Sequence, residues 1–252
     1  MRFLNRYLKP PLNKARVYGI TQSFKFLFRE ILYRVWNQVF LGSYSQGRED
    51  LEIDKLLKFK KKGFYIDVGA GDPTRFNNTY RFYKRGWRGI NIEPNVDSFY
   101  FLREKRKSDL NLNILISNSN KKSFFYEFET GTLSTTVNSV AEEYKKRGFK
   151  LVKKRRLQTK KLSWILAKYL SGKVIDFISV DAEGSDLEVL KSNDWKKFRP
   201  HVLCVEVPSK SIKFPVKSAD KTAIIKFLEN RGYEEYFDNG VNKIFADGYT
   251  LY

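Results

Sequence analysis

Cysteine and histidine are nearly absent from this 252-residue chain: each occurs once, as Cys204 and His201. A lone thiol excludes an intrachain disulfide and a multi-cysteine zinc site. Its apolar flanks, Val202, Leu203, Val205 and Val207, put Cys204 on a buried strand, which suits a reducing cytoplasm. His201 opens that strand, roughly 17–20 Å from Glu206 at the other end, and is a poor catalytic candidate. Histidine-dependent triads are thereby excluded, and no Gly-x-Ser-x-Gly elbow, Walker lysine loop or His-Glu-x-x-His helix occurs. Long apolar runs are missing too. None reaches the ~18 residues of a membrane span, and the N-terminus lacks the uninterrupted apolar core of a signal peptide. Acids are scarce beside bases, 28 against 48, and the resulting net charge of +20 favours phosphates, acidic glycans or anionic lipid surfaces as partners.

Core material is plentiful, with 42% hydrophobic and 16% aromatic residues, enough for one catalytic domain. The expected organisation is a basic helical extension over residues 1–42 and a catalytic domain over 43–252. Within the extension, Phe24, Leu27, Phe28, Ile31, Leu32, Val35, Val39 and Phe40 recur at helical spacing, and residues 1–29 carry bases from Arg2 to Arg29 without an acid. This amphipathic helix either packs on the domain or lies on anionic lipid. Mitochondrial presequences share its acid-free basic character. Ser45, followed by acidic Glu49 and Asp50, predicts the start of a second helix through Leu51–Leu57.

From Gly63 onward short apolar runs alternate with helical ones, the pattern of βαβ units and a doubly wound, mostly parallel α/β sheet. Strands are predicted at Phe64–Val68, Arg88–Glu93, Leu112–Ile116, Val174–Asp181 and Val202–Val207, with helices near 78–86, 95–107, 185–191 and 218–231. Residues 120–171 are too long for a plain connection and are expected to form an insert where a substrate lid would sit. The insert holds a helical stretch near Ala141–Arg147 and the basic run Lys150–Lys161, whose alternating leucines suit a solvated strand. Asp238-Asn239-Gly240 predicts a C-terminal β-hairpin, a departure from an all-parallel sheet.

The chemistry concentrates where strands end. Asp67-Val68-Gly69-Ala70-Gly71-Asp72 follows the first strand, and glycines there let backbone amides approach a ligand. Glu93 ends the second strand, where a carboxylate can accept hydrogen bonds from both hydroxyls of a ribose. Strand, glycine turn, helix, strand and acid together imply an adenosine-containing cofactor. A dinucleotide loop would want a third glycine where Thr74 stands, and Asp72 would crowd a pyrophosphate. Charge therefore favours the sulfonium of S-adenosylmethionine over NAD, with Asp67 available to the methionyl amino group. Asp181 and Glu183 end the fourth strand and Glu206 the fifth, so three carboxylates gather at the carboxyl edge. Like charges there raise one pKa and create a base for an attacking hydroxyl. The other readings are that Glu183 or Asp186 caps the next helix and Glu206 is a solvated strand end, or that the three bind a divalent cation, although nothing in the spacing is diagnostic of a metal.

With those residues in place, the chain resembles the FkbM family of S-adenosylmethionine-dependent methyltransferases from about Tyr44 to Ala246. The resemblance rests on Tyr44-Ser45-Gln46 with Glu49-Asp50, on FYIDVGAGDPTRFNNTY from Phe64, on GWRGINIEPN from Gly86, on DFISVDAEGSDLEVL from Asp176 and on VNKIF from Val241. It implies a seven-stranded Rossmann-like methyltransferase sheet, a cofactor held by Asp67, Gly69, Gly71 and Glu93, and O-methylation of sugars or hydroxylated natural products. The family usually carries asparagine after the glycine pair, where this chain has Gly71-Asp72. The resulting expectation is O-methylation of a glycan or glycolipid precursor in the cytoplasm, with peripheral contact to the inner membrane face. An RNA methyltransferase or RNA-binding protein using the basic surface, and a nicotinamide oxidoreductase, are the alternatives.

Overall fold

The computed structural model describes residues 32, 35–129, 133–208 and 218–249. Its centre is a seven-stranded sheet. β1 (Phe64–Val68) pairs in parallel with β2 (Arg88–Ile92) and with β7 (Phe177–Val180). β3 (Leu110–Leu112) extends one side, and β8 (Val202–Glu206) extends the other. The hairpin of β9 (Tyr233–Asp238) and β10 (Asn242–Asp247) closes the second edge, and β10 runs antiparallel to β8. The spatial order is β3-β2-β1-β7-β8-β10-β9.

Side-chain alternation divides the core into two layers. Phe64, Ile66, Val68, Ile178, Val180, Leu203 and Val205 face one way, against α5 (Leu162–Tyr169), α6 (Asp186–Lys191) and α7 (Ser218–Glu229). Tyr65, Phe177, Val202 and Cys204 face the other way, against Ile53 of α1 (Glu49–Leu56) and Phe82 of α2 (Tyr80–Lys84). Cys204 is buried there, and burial pushes its thiol well up, leaving it unreactive. α3 (Val96–Lys105) begins at Asn95, whose side chain accepts the Ser98 amide at 3.0 Å as a helix cap requires.

The acids that open α1 act as clamps. Glu49 accepts from Asn239 at 2.7 Å and from Asn242 at 2.6 Å, tying the helix to the C-terminal hairpin. Asp50 accepts from the hydroxyls of Ser43 at 2.6 Å and Ser45 at 2.9 Å. Both acids are buried, which accounts for the short run of serines and acids seen before Leu51.

Two expectations shift. The run Leu112–Ile116 is not one strand: β3 ends at Leu112, and Leu115–Ile116 (β4) instead joins a second sheet, ordered β4-β6-β5. Asn113 makes the break, donating to the carbonyls of Glu93 at 2.8 Å and Pro94 at 3.0 Å. The second sheet comes from the insert: β5 (Lys122–Phe128) and β6 (Leu151–Lys160) pair antiparallel, and α4 (Asn138–Lys146) packs Val140, Ala141 and Tyr144 on Tyr126 and Phe128. Structurally the insert stops near Lys160, because Leu162, Ile165 and Leu166 lie at helical spacing and pack into the main core.

Of the helix expected over residues 20–41, residues 20–31, 33 and 34 lie outside the described residues. Residues Trp36–Leu41 form a short π-helix ended by Gly42, whose φ of 64° is left-handed. Among the described residues no helix is long and apolar enough to cross a membrane.

Candidate active site

Strand register brings the carboxyl edge to one level. Val68 pairs with Ile92 and Val180, and Val180 pairs with Val205. Gly69, Glu93, Asp181 and Glu206 are each the next residue, and alternation puts all four toward the α1 and α2 face. At about 4.8 Å per strand, Glu93 stands roughly 10 Å from Asp181, while Asp181 and Glu206 are neighbours. The chain reverses winding direction between β1 and β7, the crevice where open α/β sheets bind ligands.

Glycine is required at the floor of this crevice. Gly69 has φ +78°, and a Cβ there would lie 1.8 Å from the Asp181 carbonyl oxygen. Gly71 also has a left-handed φ, +52°, and its amide donates to Glu93 Oε2 at 2.8 Å. Glu93 Oε1 accepts the Asn95 amide at 2.7 Å, so the acid is fixed across the turn. Asp72 Oδ1 accepts from the Thr74 and Arg75 amides, both at 3.0 Å, and holds the turn after the glycines.

Asp67 is buried beneath this loop. Its Oδ2 accepts from Thr79 Oγ1 at 2.8 Å and Asn77 Nδ2 at 3.2 Å. Burial pushes its carboxyl up to about 6, opposed by those hydrogen bonds and by the charge of Arg106. Arg106 itself is fully buried. It donates to Asn77 Oδ1 at 2.6 Å, Thr79 Oγ1 at 2.8 Å, the Pro73 carbonyl at 2.9 Å and Tyr65 Oη at 3.0 Å. Asp109 lies 3.7 Å away as its counter-charge and accepts from Tyr65 at 2.5 Å. One guanidinium thus fixes the whole loop over residues 73–79.

The second acid group lies across the crevice. Asp186 is buried and accepts the amides of Ala182 at 2.8 Å and Gly184 at 3.1 Å, shaping the turn that carries Asp181 and Glu183. Its carboxyl is raised to about 6 by burial. Glu183 takes a left-handed φ of 49°, a strained conformation for this residue type. Its Oε2 accepts from Tyr144 Oη at 2.6 Å, and burial with the charge of Asp181 pushes it well up. Burial and the charges of Asp181, Glu183 and Asp186 do the same to Glu206. Asp181 is raised to about 7 by the protein packed around it and by Asp186, Asp67 and Glu93. The residue itself reaches solvent, so crowding of like charge holds its carboxyl up. Among the described residues no group of three His, Cys, Asp or Glu side chains is arranged to hold a metal ion.

The insert closes over these acids. Besides Tyr144, Thr135 Oγ1 donates to the Glu183 carbonyl at 2.7 Å, and the hydroxyls of Thr136 and Ser185 hydrogen-bond. Sequence reasoning singled out neither Arg106 nor Tyr144. Asn77 and Thr79 sit just past the glycines and were within reach of it, whereas Arg106 follows Arg103 and Lys105 and carries no local mark of burial.

A doubly wound sheet with one antiparallel strand beside its edge, a glycine turn after β1 and an acid after β2 defines a Rossmann-like methyltransferase domain. The chain belongs to the FkbM family: the methyltransferase FkbM domain matches residues 67–235. No curated protein matches the chain. Among solved structures it is similar to a TehB-like SAM-dependent methyltransferase from Corynebacterium glutamicum, at 8% identity over 87% of this chain and 97% of that one, TM-score 0.41. Another is a precorrin-6Y C5,15-methyltransferase from Geobacter metallireducens, at 13% identity over 81% and 89%, TM-score 0.40. A third is the fibrillarin pre-rRNA processing protein of Methanococcus jannaschii, at 14% identity over 75% and 68%, TM-score 0.39.

Proposed function

We propose that this methyltransferase moves the methyl group of S-adenosylmethionine to a hydroxyl oxygen of a sugar in a glycan or glycolipid precursor. The observation that carries the reading is the shared level of Gly69, Glu93, Asp181 and Glu206, with one acid on one side of the glycine turn and the crowded acids on the other. The residues present fit the cofactor. Gly69 lets the turn pass close against Asp181, Glu93 places a carboxylate beside that turn where ribose hydroxyls would lie, and acids close to the turn favour a cation over a pyrophosphate. Asp67, whose carboxylate lies under the loop, supports the methionyl end through Asn77 and the loop backbone rather than as an open acceptor.

S-adenosylmethionine supplies an electrophilic methyl carried on sulfur. This chain's residues would bind and align the acceptor oxygen and take up its proton, the sulfur leaving as neutral S-adenosylhomocysteine. Asp181, Glu183 and Glu206 share that task. A carboxyl held at about 7, as that of Asp181 is, suits a group that accepts a proton and passes it to solvent, and such a base contributes about 10²–10⁴-fold. Tyr144 steers Glu183, and the hydroxyls of Thr136 and Ser185 offer donors to a polyol. Exposed Lys153, Lys154 and Arg156 on β6 suit an acceptor that also bears phosphate or acidic sugars, and would equally serve RNA.

Incubation with methyl-labelled S-adenosylmethionine and a glycan extract tests the reading. Label should enter alkali-stable methyl ethers of sugars, and Glu183→Gln should lower turnover at least ~10²-fold with the cofactor still bound. Label in ribonuclease-sensitive material, or in alkali-labile esters, would overturn it.

A further inference from the structure

The helix Trp36–Leu41 is packed with its sides reversed. It buries Asn37, which is 2% exposed; Asn37 Oδ1 accepts from Arg48 Nε at 2.9 Å and its carbonyl accepts the Ser43 amide at 2.8 Å. Turned outward are Trp36, Val39 and Phe40, at 54%, 70% and 66% exposure, with the Trp36 and Phe40 rings 4.9 Å apart. Leu32 and Val35 are exposed as well. A helix packed for water buries its apolar stripe and shows its amides. Contiguous apolar surface of this kind marks an interaction site.

Two observations select the occupant. The residues that lead into the patch, 2–34, hold basic side chains from Arg2 to Arg34 and a single acid, Glu30, within a chain of net charge +20. A second copy would match the apolar face but set like charge against like charge, whereas an anionic bilayer answers both features at once. The patch also lies on the flank of the carboxyl edge. Tyr44 accepts the Asn77 amide at 3.0 Å through its carbonyl, and exposed Phe76 projects from the same loop. We infer that this face docks peripherally on an anionic bilayer, the inner membrane face. Trp36, Val39 and Phe40 enter the boundary between headgroups and acyl chains, and lipid phosphates answer the chain's positive charge. The inference stands without the acceptor assignment, and it would carry the catalytic edge to a membrane-borne substrate.

Co-sedimentation of the full-length protein with vesicles of phosphatidylcholine alone, or mixed with phosphatidylglycerol, tests it. Binding should require phosphatidylglycerol, weaken as salt rises, and fall about tenfold or more in the double variant Val39→Asp, Phe40→Asp. Both side chains are exposed, so the fold should survive; Trp36→Ala, expected to weaken binding several-fold, provides a second variant. S-adenosylmethionine binding by each variant should match the parent, so failure of lipid docking and failure of the cofactor assignment separate. The inference is overturned if the parent ignores anionic vesicles at low salt or if both variants bind them as well as the parent. It is equally overturned if the protein is a dimer that Phe40→Asp disperses, which would assign the patch to a second copy.

Discussion

Affinity for S-adenosylmethionine should rise with pH across neutrality. Asp181 is held at about 7 and Asp186 at about 6, with Glu183 and Glu206 pushed well up, so the unliganded crevice retains protons at neutral pH. By Coulomb's law a unit positive charge at ~5 Å and an effective dielectric near 20 would favour the ionised form of such a carboxylate by about 3 kcal/mol. That corresponds to a pKa about 2 units lower in the complex. The cation prefers the deprotonated protein, so acid opposes binding and binding releases protons. A group at about 7 goes from about nine-tenths ionised at pH 8 to about one-tenth at pH 6, which predicts an affinity loss of about tenfold. Titration calorimetry at those pH values, in buffers of different ionisation enthalpy, reads both the affinity and the protons released. The neutral product S-adenosylhomocysteine should show little slope, and Asp181→Asn should flatten the slope for the cation. Affinity independent of pH without proton release, or equal slopes for both ligands, would refute the electrostatic account.

Other outcomes follow from single contacts. Gly69→Ala forces a side chain to 1.8 Å from the Asp181 carbonyl at a left-handed φ, and should cost at least about 2–3 kcal/mol in urea denaturation together with cofactor binding. Arg106→Ala strands buried Asp109 and the loop of Asn77 and Thr79, so a loss of about 3–5 kcal/mol is expected, read as a lower denaturation midpoint. Tyr144→Phe removes a hydrogen bond that lowers the Glu183 pKa, so the acid limb of the pH–rate profile should move to higher pH while cofactor affinity holds. Raised folded-state pKa values also set a stability trend: Asp67, Asp181 and Asp186 bind protons more tightly folded than unfolded. Their contribution is complete below about pH 4 and lost as pH rises through about 6–7, so the Tm of the unliganded protein should be higher at pH 5.5 than at pH 8.

Much of this was legible in the sequence because strand ends carry short-range marks. Gly69, Gly71 and Glu93 announce themselves by following apolar runs, and the hairpin is written in Asp238-Asn239-Gly240. What escaped depends on contacts between distant segments. The hydrogen bonds of Asp67 from Thr79 and Asn77, both held by an arginine 39 positions downstream of Asp67, carry no mark in the local sequence. The Asp72 side chain also organises its own turn, a local preference of aspartate that sequence alone leaves undecided. Leu112–Ile116 has uniform strand propensity, and only the Asn113 amide reaching Glu93 and Pro94 divides it between two sheets.

The central claim is that the crevice between Glu93 and Asp181 holds S-adenosylmethionine. Calorimetry of the parent and of folded Glu93→Ala tests it most directly. The parent should bind S-adenosylmethionine and not NAD, and Glu93→Ala should lose about 1.5–3 kcal/mol, roughly 10- to 150-fold, with its charged acceptor. Unchanged affinity in Glu93→Ala, or preferential binding of NAD by the parent, would contradict it.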